Sequence, residues 1–197
     1  MSLKTLANET WLANAGRSAT GRVVVLLSGG IDSAAVAILL KEQGHDIRPL
    51  FINYGQSALE AELVAANAVA AAAGLEPPKV LSCDIFAGLA GLLPPEARTD
   101  RQAWVPARNT LFMLLAGIYA HTIDADGIAL GYMIEDNFVF GDNDYFHHRM
   151  LELLLEKSFL RPFQVLMPAK SATKAELVAL LAGRGCCNSP YLAGMPG

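Results

Sequence analysis

Apolar positions along this chain come in two rhythms, and their alternation predicts the architecture before any motif is considered. Val23-Val24-Val25-Leu26-Leu27 is a run of consecutive apolar residues rich in valine. An unbroken run of this kind predicts a strand buried on both faces of a parallel sheet. It passes through Ser28-Gly29-Gly30 into Ala34 to Leu40, an Ala/Ile/Leu/Val segment that predicts a helix ended by Gly44. The same order then recurs. Asp46 to Asn53 predicts a second strand, Tyr54-Gly55-Gln56 a turn, and Ala58 to Ala73 an Ala-rich helix closed by Gly74, with Pro77-Pro78 beyond it. Lys79 to Asp84 predicts strand three, Asn109 to Ile123 an apolar helix, and Gly127 to Gly131 a short strand four. Tyr145 to Phe159 predicts a helix and Phe163 to Met167 strand five, stopped by Pro168. Thr173-Lys174-Ala175-Glu176 is a capping box that opens a last helix ending at Gly183. Two stretches stand outside the rhythm: the long connection Gly88 to Pro106, and the acidic, aromatic loop Tyr132 to Asp144.

Strands alternating with helices predict an α/β fold, a five-stranded, mostly parallel sheet with helices on both faces. One domain is expected over 1–197, with an N-terminal extension over 1–21 and a C-terminal tail over 186–197. Ligands of such sheets bind beyond the carboxyl ends of the strands, at the point where strand order reverses. The loops after strands one, two, four and five carry the chain's motifs, so a single site is expected there.

Composition narrows the partners. Apolar residues make up 53% of the chain, which favours a packed core over disorder. The longest apolar run, Leu111 to Ala120, is about half of the ~20 residues a membrane span needs, and Met1 to Gly21 does not read as a signal peptide. A formal net charge of −4 without any Lys/Arg run argues against nucleic acid and for small-molecule partners. Three cysteines cannot form a disulfide framework and suit a reducing cytoplasm. Cys186 and Cys187 are neighbours, ~3.8 Å apart at Cα and too close for an ordinary disulfide, and Cys83 is expected to be a buried small hydrophobe. The sequence leaves the oligomeric state open, with a homodimer among the assemblies it allows.

The chemistry concentrates in Leu27-Ser28-Gly29-Gly30-Ile31-Asp32-Ser33. A strand, a glycine turn and a helix aim unpaired first-turn amides and the positive end of the helix dipole at an anion. Gly29 and Gly30 are expected to supply positive φ and close backbone approach to a phosphate, and Ser28 and Ser33 hydroxyl donors. Asp32 is the odd residue, because a carboxylate repels a phosphate. Two roles are open for it: a helix N-cap, or a ligand to a Mg²⁺ that also binds the phosphates. The stretch fits neither the G-x-x-x-x-G-K-[ST] nor the G-x-G-x-x-G pattern. It is similar to the SGGxDS loop of the PP-loop ATP pyrophosphatases, enzymes of the adenine nucleotide alpha hydrolase-like fold that cleave ATP between the α and β phosphates.

Three further stretches, Tyr54-Gly55-Gln56, Val105-Pro106-Ala107-Arg108-Asn109 and Thr173-Lys174-Ala175-Glu176, stand in order after this loop. Together with Gly131, Glu135-Asp136 and Asp144, they resemble the 7-cyano-7-deazaguanine synthase family of the queuosine pathway over roughly Val23 to Arg184. The resemblance implies an ATP-dependent ligase that adenylates the carboxylate of 7-carboxy-7-deazaguanine, forms the amide with ammonia, and activates again to give the nitrile. Asp32, Arg108 and Lys174 are the implied catalytic residues. ATP falls to Leu27, Ser28, Gly29, Gly30, Asp32, Ser33, Tyr54, Gln56 and Lys174, and the acid to Arg108, Asn109, Glu135, Asp136 and Asp144, with Mg²⁺ near Asp32.

The bland roles remain beside these: an exposed Arg108 after a proline turn, a solvated Lys174, turn chemistry for Tyr54 and Gln56, and a merely solvated acidic loop including Asp142. His147 and His148, adjacent on a helix and about 100° apart, are expected at the surface rather than on one metal. Departures from the family pattern are Asn53 where Asp is usual, Ser57-Ala58 in place of basic residues, and Cys186-Cys187 where a multi-cysteine zinc site is usual, so zinc is not expected. Alternatives are adenylation of another small-molecule or protein carboxylate, or a catalytically silent ATP- or AMP-binding module.

Overall fold

A computed structural model describes residues 20–83, 105, 107–133 and 145–184. Its elements are β1 (Arg22–Leu26), α1 (Ile31–Glu42), β2 (Asp46–Asn53), α2 (Leu59–Ala72), β3 (Lys79–Ser82), α3 (Arg108–Thr122), β4 (Gly127–Ala129), α4 (Tyr145–Phe159), β5 (Gln164–Leu166) and α5 (Lys174–Ala182). The strands form one parallel sheet in the order β3-β2-β1-β4-β5. The expected five-stranded α/β architecture is what the chain adopts.

The side-chain period of two sorts each strand between two layers. Val23, Val25, Ile47 and Phe51 face the layer of α1, α2 and α5, where they meet Val36, Leu40, Val69 and Leu177. Val24, Leu50, Ile52 and Ile128 face α3 and α4, against Met113, Ala116, Leu151 and Leu155. Helix α1 lies innermost, with every residue from Ser33 to Leu40 buried, which accounts for its lack of a polar stripe. It begins at Ile31, before the expected Ala34, because the Gly30 carbonyl already accepts the Ala34 amide at 3.0 Å.

Two irregular positions have local explanations. Pro49 lies inside the central strand β2, where a missing N–H would normally break the ladder. Leu50 O accepts from Leu27 N, so residue 49 is turned toward β3, whose register starts only at Leu50. At the opposite edge, Gln164 N and Leu166 O bond to the β4 side, which turns Val165 outward. The buried Glu152 of α4 accepts the Val165 N–H at 2.8 Å, while its other oxygen meets Arg149. The edge is thereby closed to strand addition.

His148 corrects an expectation. It is 1% exposed, because it shares the inward stripe of α4 with Leu151, Glu152 and Leu155, one and two turns on. His147 is half-buried and bonds Thr110 Oγ1 at 3.0 Å through Nε2. Cys83 is half-buried against the α3–α4 layer, with a free thiol.

At the amino ends of the strands, His45 is buried beside Gly21, whose amide lies 3.3 Å from Nδ1. Burial lowers its pKa, the Gly21 contact and Asp126 opposing. A base with a depressed folded-state pKa stays neutral in the fold, so its contribution is complete above its unfolded value near 6.5 and is lost as pH falls through the folded one. Urea midpoints of the wild type should therefore drop, as pH falls below about 6.5, more steeply than those of His45→Gln. Equal slopes would assign the acid sensitivity elsewhere.

Candidate active site at the switch point

Strand order reverses between β1 and β4, whose neighbours β2 and β5 lie on opposite sides. The loops leaving their carboxyl ends diverge there and open a crevice. A cavity of about 330 Å³ occupies it. Its walls are Ser28, Gly30, Asp32 and Ser33 after β1, Tyr54 and Gln56 after β2, Arg108, Asn109 and Phe112 on α3, and Gly131 and Tyr132 after β4. The expected convergence of these loops is observed. Pro106, Glu135, Asp136, Asp142, Asp144, Cys186 and Cys187 lie outside the described residues.

The glycine turn is built differently from expectation. Gly29 has a φ of +84°, whereas Gly30 has an ordinary φ of −73° and occupies the N-cap of α1. A Cβ on Gly29 would stand 2.6 Å from both Ala65 Cβ and Ala66 N, so this glycine answers to the packing of α2. On Gly30 the nearest atom would be Ser28 Oγ at 3.5 Å, so the open side of the turn is at residue 30. Ser33 is buried and braces the turn, accepting from Ser28 N at 3.3 Å and donating to the Gly30 carbonyl at 3.1 Å. Ser28 is exposed, its hydroxyl 3.3 Å from that of Ser33.

Asp32 is not a cap. It sits in the first turn of α1, where no side chain caps the helix, and both its oxygens bond Lys174 Nζ, at 2.8 and 2.9 Å. Lys174 opens α5, whose capping box is present: Thr173 Oγ1 accepts from Glu176 N, and the Glu176 carboxylate accepts from Thr173 N. A cation in a first helical turn is disfavoured by the dipole, and Asp32 supplies the anion that offsets it. Beyond these groups lies Gly131, where a Cβ would be 2.7 Å from Ser33 N. The exit from β4 therefore lies flush on the first turn of α1.

Arg108 starts α3 after Ala107, a non-glycine residue at φ +57°. Its guanidinium carbon is 5.9 Å from the centroid of the Tyr54 ring, and Phe112, one turn on, packs on the same ring at 5.1 Å. Burial raises the Tyr54 pKa, Arg108 opposing. Gln56 folds back on its own turn, accepting from Tyr54 N at 3.0 Å and donating to Glu62 Oε2 at 2.9 Å. Phe112 and Tyr132 were not singled out in the sequence. The i, i+4 spacing of Arg108 and Phe112 was the available signal for the first, and Tyr132 carries none beyond following Gly131. Tyr132 rests on His148, with ring centroids 4.7 Å apart.

These groups suit an anionic, flat ligand: open backbone at Gly30, first-turn amides, two cations and two aromatic walls. Among the described residues no group of three or more His, Cys, Asp or Glu is placed to hold a metal alone. A divalent cation there would share Asp32 with Lys174 and take its other ligands from the phosphates and water.

Comparison with known proteins decides the family. The sequence model of the family described as "Queuosine biosynthesis protein QueC" matches residues 22–190. The chain belongs to the QueC family. This QueC family chain is 31% identical over 175 residues to the 7-cyano-7-deazaguanine synthase of Methanothrix thermoacetophila, covering 81% of this chain and 78% of that protein. Among solved structures it is similar to the U34-tRNA thiolase NcsA from Methanococcus maripaludis, with a TM-score of 0.65 and 17% identity over 95% of this chain and 65% of that one. It is also similar to a 4-thiouridine synthetase in complex with RNA and bound ATP, with a TM-score of 0.57 and 20% identity over 84% and 41% of the two chains. The fold is that of the PP-loop, adenine nucleotide alpha hydrolase-like enzymes. Among the described residues no helix is long and apolar enough to cross a membrane.

Arg108→Lys keeps the charge of this member's site but removes the planar fork and its stacking on Tyr54. The apparent KM for an acid substrate should rise about ten- to a hundredfold, with an unchanged circular dichroism spectrum.

Proposed function

We propose that this QueC family chain is an ATP-dependent, AMP-forming ligase that converts 7-carboxy-7-deazaguanine to 7-cyano-7-deazaguanine with ammonia. The carrying observation is that Ser28, Gly30, Asp32 and Ser33, Tyr54 and Gln56, and Arg108 and Asn109 line one cavity, with Lys174 bonded to its Asp32. The name of a curated relative supports the product, 7-cyano-7-deazaguanine, and the ATP-bound thiouridine synthetase supports the nucleotide.

In the first half-reaction a carboxylate oxygen attacks the α phosphorus and pyrophosphate leaves. Ammonia then displaces AMP from the acyl carbon, giving the amide and releasing a proton. In the second, the amide oxygen attacks a second α phosphorus, pyrophosphate leaves, and loss of AMP with the remaining N–H protons gives the nitrile. Each step asks the protein for position and charge compensation. Gly30 and the first turn of α1 receive the leaving phosphates, and Lys174 stabilises the charge that builds on them. Arg108 holds the acid, and Tyr54, Phe112 and Tyr132 offer flat faces to purine-like rings. Mg²⁺ beside Asp32 would neutralise phosphate charge as the α–β bond breaks.

The test is incubation with ATP, Mg²⁺, ammonium and 7-carboxy-7-deazaguanine, followed by mass analysis. Amide or nitrile product is expected. AMP without either product would redirect the reading to another acceptor, and absence of AMP with this acid would sink it.

A further inference from the structure

We propose that Glu62 of α2 is the specificity-determining residue for the ring of the acid, its carboxylate accepting the two neighbouring N–H donors of a guanine-type edge. This role rests on the reaction proposed above, whose steps leave Glu62 unused. Among the described residues two carboxylates line the cavity, Asp32 and Glu62. Asp32 is bonded to Lys174. An acid in the first turn of a helix is favoured by the dipole alone, and Glu60 shares that turn of α2. Glu60 is exposed, however, whereas Glu62 is half-buried in the cavity wall.

Gln56 fixes Glu62 there. Its side chain accepts from Tyr54 N at 3.0 Å and spends its amide hydrogens on Ile52 O at 3.3 Å and Glu62 Oε2 at 2.9 Å. The carboxylate is thus held by a donor that is itself tied to the end of β2. A carboxylate only accepts and has about four lone-pair sites, so most of its capacity is left for a ligand. Arg108 and Glu62 reach the cavity from α3 and α2, helices on opposite faces of the sheet. Tyr54 registers both charges: after burial, the main cause of its raised pKa, Arg108 opposes and Glu62 adds. One wall is cationic and another anionic. The acid 7-carboxy-7-deazaguanine is polar in the complementary sense, with its carboxylate on the five-membered ring and its N1–H and 2-amino donors at the far end of the six-membered one. Two donors in a row match two carboxylate oxygens in parallel bonds. Adenine sets a ring-nitrogen acceptor beside its single amino group, an edge that a carboxylate repels. Glu62 therefore reads the acid and not the base of ATP.

Steady-state kinetics at saturating ATP, Mg²⁺ and ammonium test this, with 7-carboxy-7-deazaguanine and the same acid lacking its 2-amino group as substrates. The wild type should favour the first by tenfold or more in kcat/KM. Glu62→Gln should raise the KM for the first about ten- to a hundredfold, keep kcat within about threefold, and bring the two acids within about threefold of each other. Its affinity for ATP, measured by titration, should match that of the wild type, and Glu60→Gln should change none of these values. A wild type indifferent to the 2-amino group overturns the role without any variant. So does an unchanged KM in Glu62→Gln, a loss of ATP affinity in its place, or an equal loss in Glu60→Gln. In each of these cases wild-type turnover of the acid leaves the proposed reaction standing, whereas a wild type that forms product from neither acid overturns both.

Discussion

Lys174→Met is expected to weaken binding of metal-free ATP by tenfold or more and to lower AMP formation about a hundredfold, while Asp32→Asn leaves metal-free binding no weaker than wild type and abolishes the gain from Mg²⁺. The opposite signs follow from the chelate that Lys174 makes on Asp32, at 2.8 and 2.9 Å. In the resting protein the ammonium cancels the carboxylate, so the turn offers phosphates a neutral pair rather than a repelling charge. Without Lys174, Asp32 faces the phosphates uncompensated. Two like charges ~5 Å apart at an effective dielectric near 20 repel by roughly 3 kcal/mol, and partial solvation trims this to about 1–2 kcal/mol, a factor of about ten or more. Removing Asp32 removes the repulsion but also the carboxylate that would meet the metal, and losses of 10²–10³ in turnover are typical when one preorganised charge partner is taken away. Stability should barely register either change. The pair is 40% and 27% exposed at its two side chains, so breaking it costs at most about 1 kcal/mol. The measurements are ATP titration with and without Mg²⁺ and melting temperatures of both variants. The double variant should bind metal-free ATP better than Lys174→Met alone, because the two residues are coupled. Parallel losses in both single variants would show that the chelate is only structural.

Legibility from sequence tracked the range of the interaction that decides each feature. Strand and helix order was readable because burial on both faces leaves local signatures: the Val23–Leu27 run, the Gly44 and Gly74 stops and the Thr173–Glu176 box all match the structure. The switch point followed, since parallel order places the loops after β1, β2 and β4 together. Contacts set by the rotation of one element against another were not readable. The inward turn of His148 depends on which face of α4 meets the sheet, and periodicity gives two apolar faces to choose from. Asp32 was open between cap and metal because its partner is 142 residues away, on α5. Tyr132 becomes a wall only through its contact with His148, for which adjacent sequence offers no sign. The two glycines of the turn looked equivalent and are not, because what separates them is the approach of α2.

That difference gives the second large effect. Gly29→Ala should destabilise the fold by about 2–6 kcal/mol, whereas Gly30→Ala should stay within about 1 kcal/mol of wild type and lose nucleotide affinity instead. At residue 29 two penalties add. A φ of +84° is one that L side chains rarely adopt, at a cost of about 1–3 kcal/mol, and the new methyl would lie 2.6 Å from Ala65 Cβ and from the backbone nitrogen of Ala66, neither of which can rotate away. Relieving that clash moves the helix, and overpacking of this kind costs about 1–3 kcal/mol more. At residue 30 a φ of −73° suits alanine and the nearest atom is a serine hydroxyl at 3.5 Å, so the fold has room. The added methyl would then stand where a phosphate must approach the first amides of α1, and only the ligand feels it. Urea midpoints and ATP titrations on the two variants separate the cases. A Gly30→Ala protein that binds ATP as tightly as wild type would place the phosphates away from this turn, and with them the proposed chemistry.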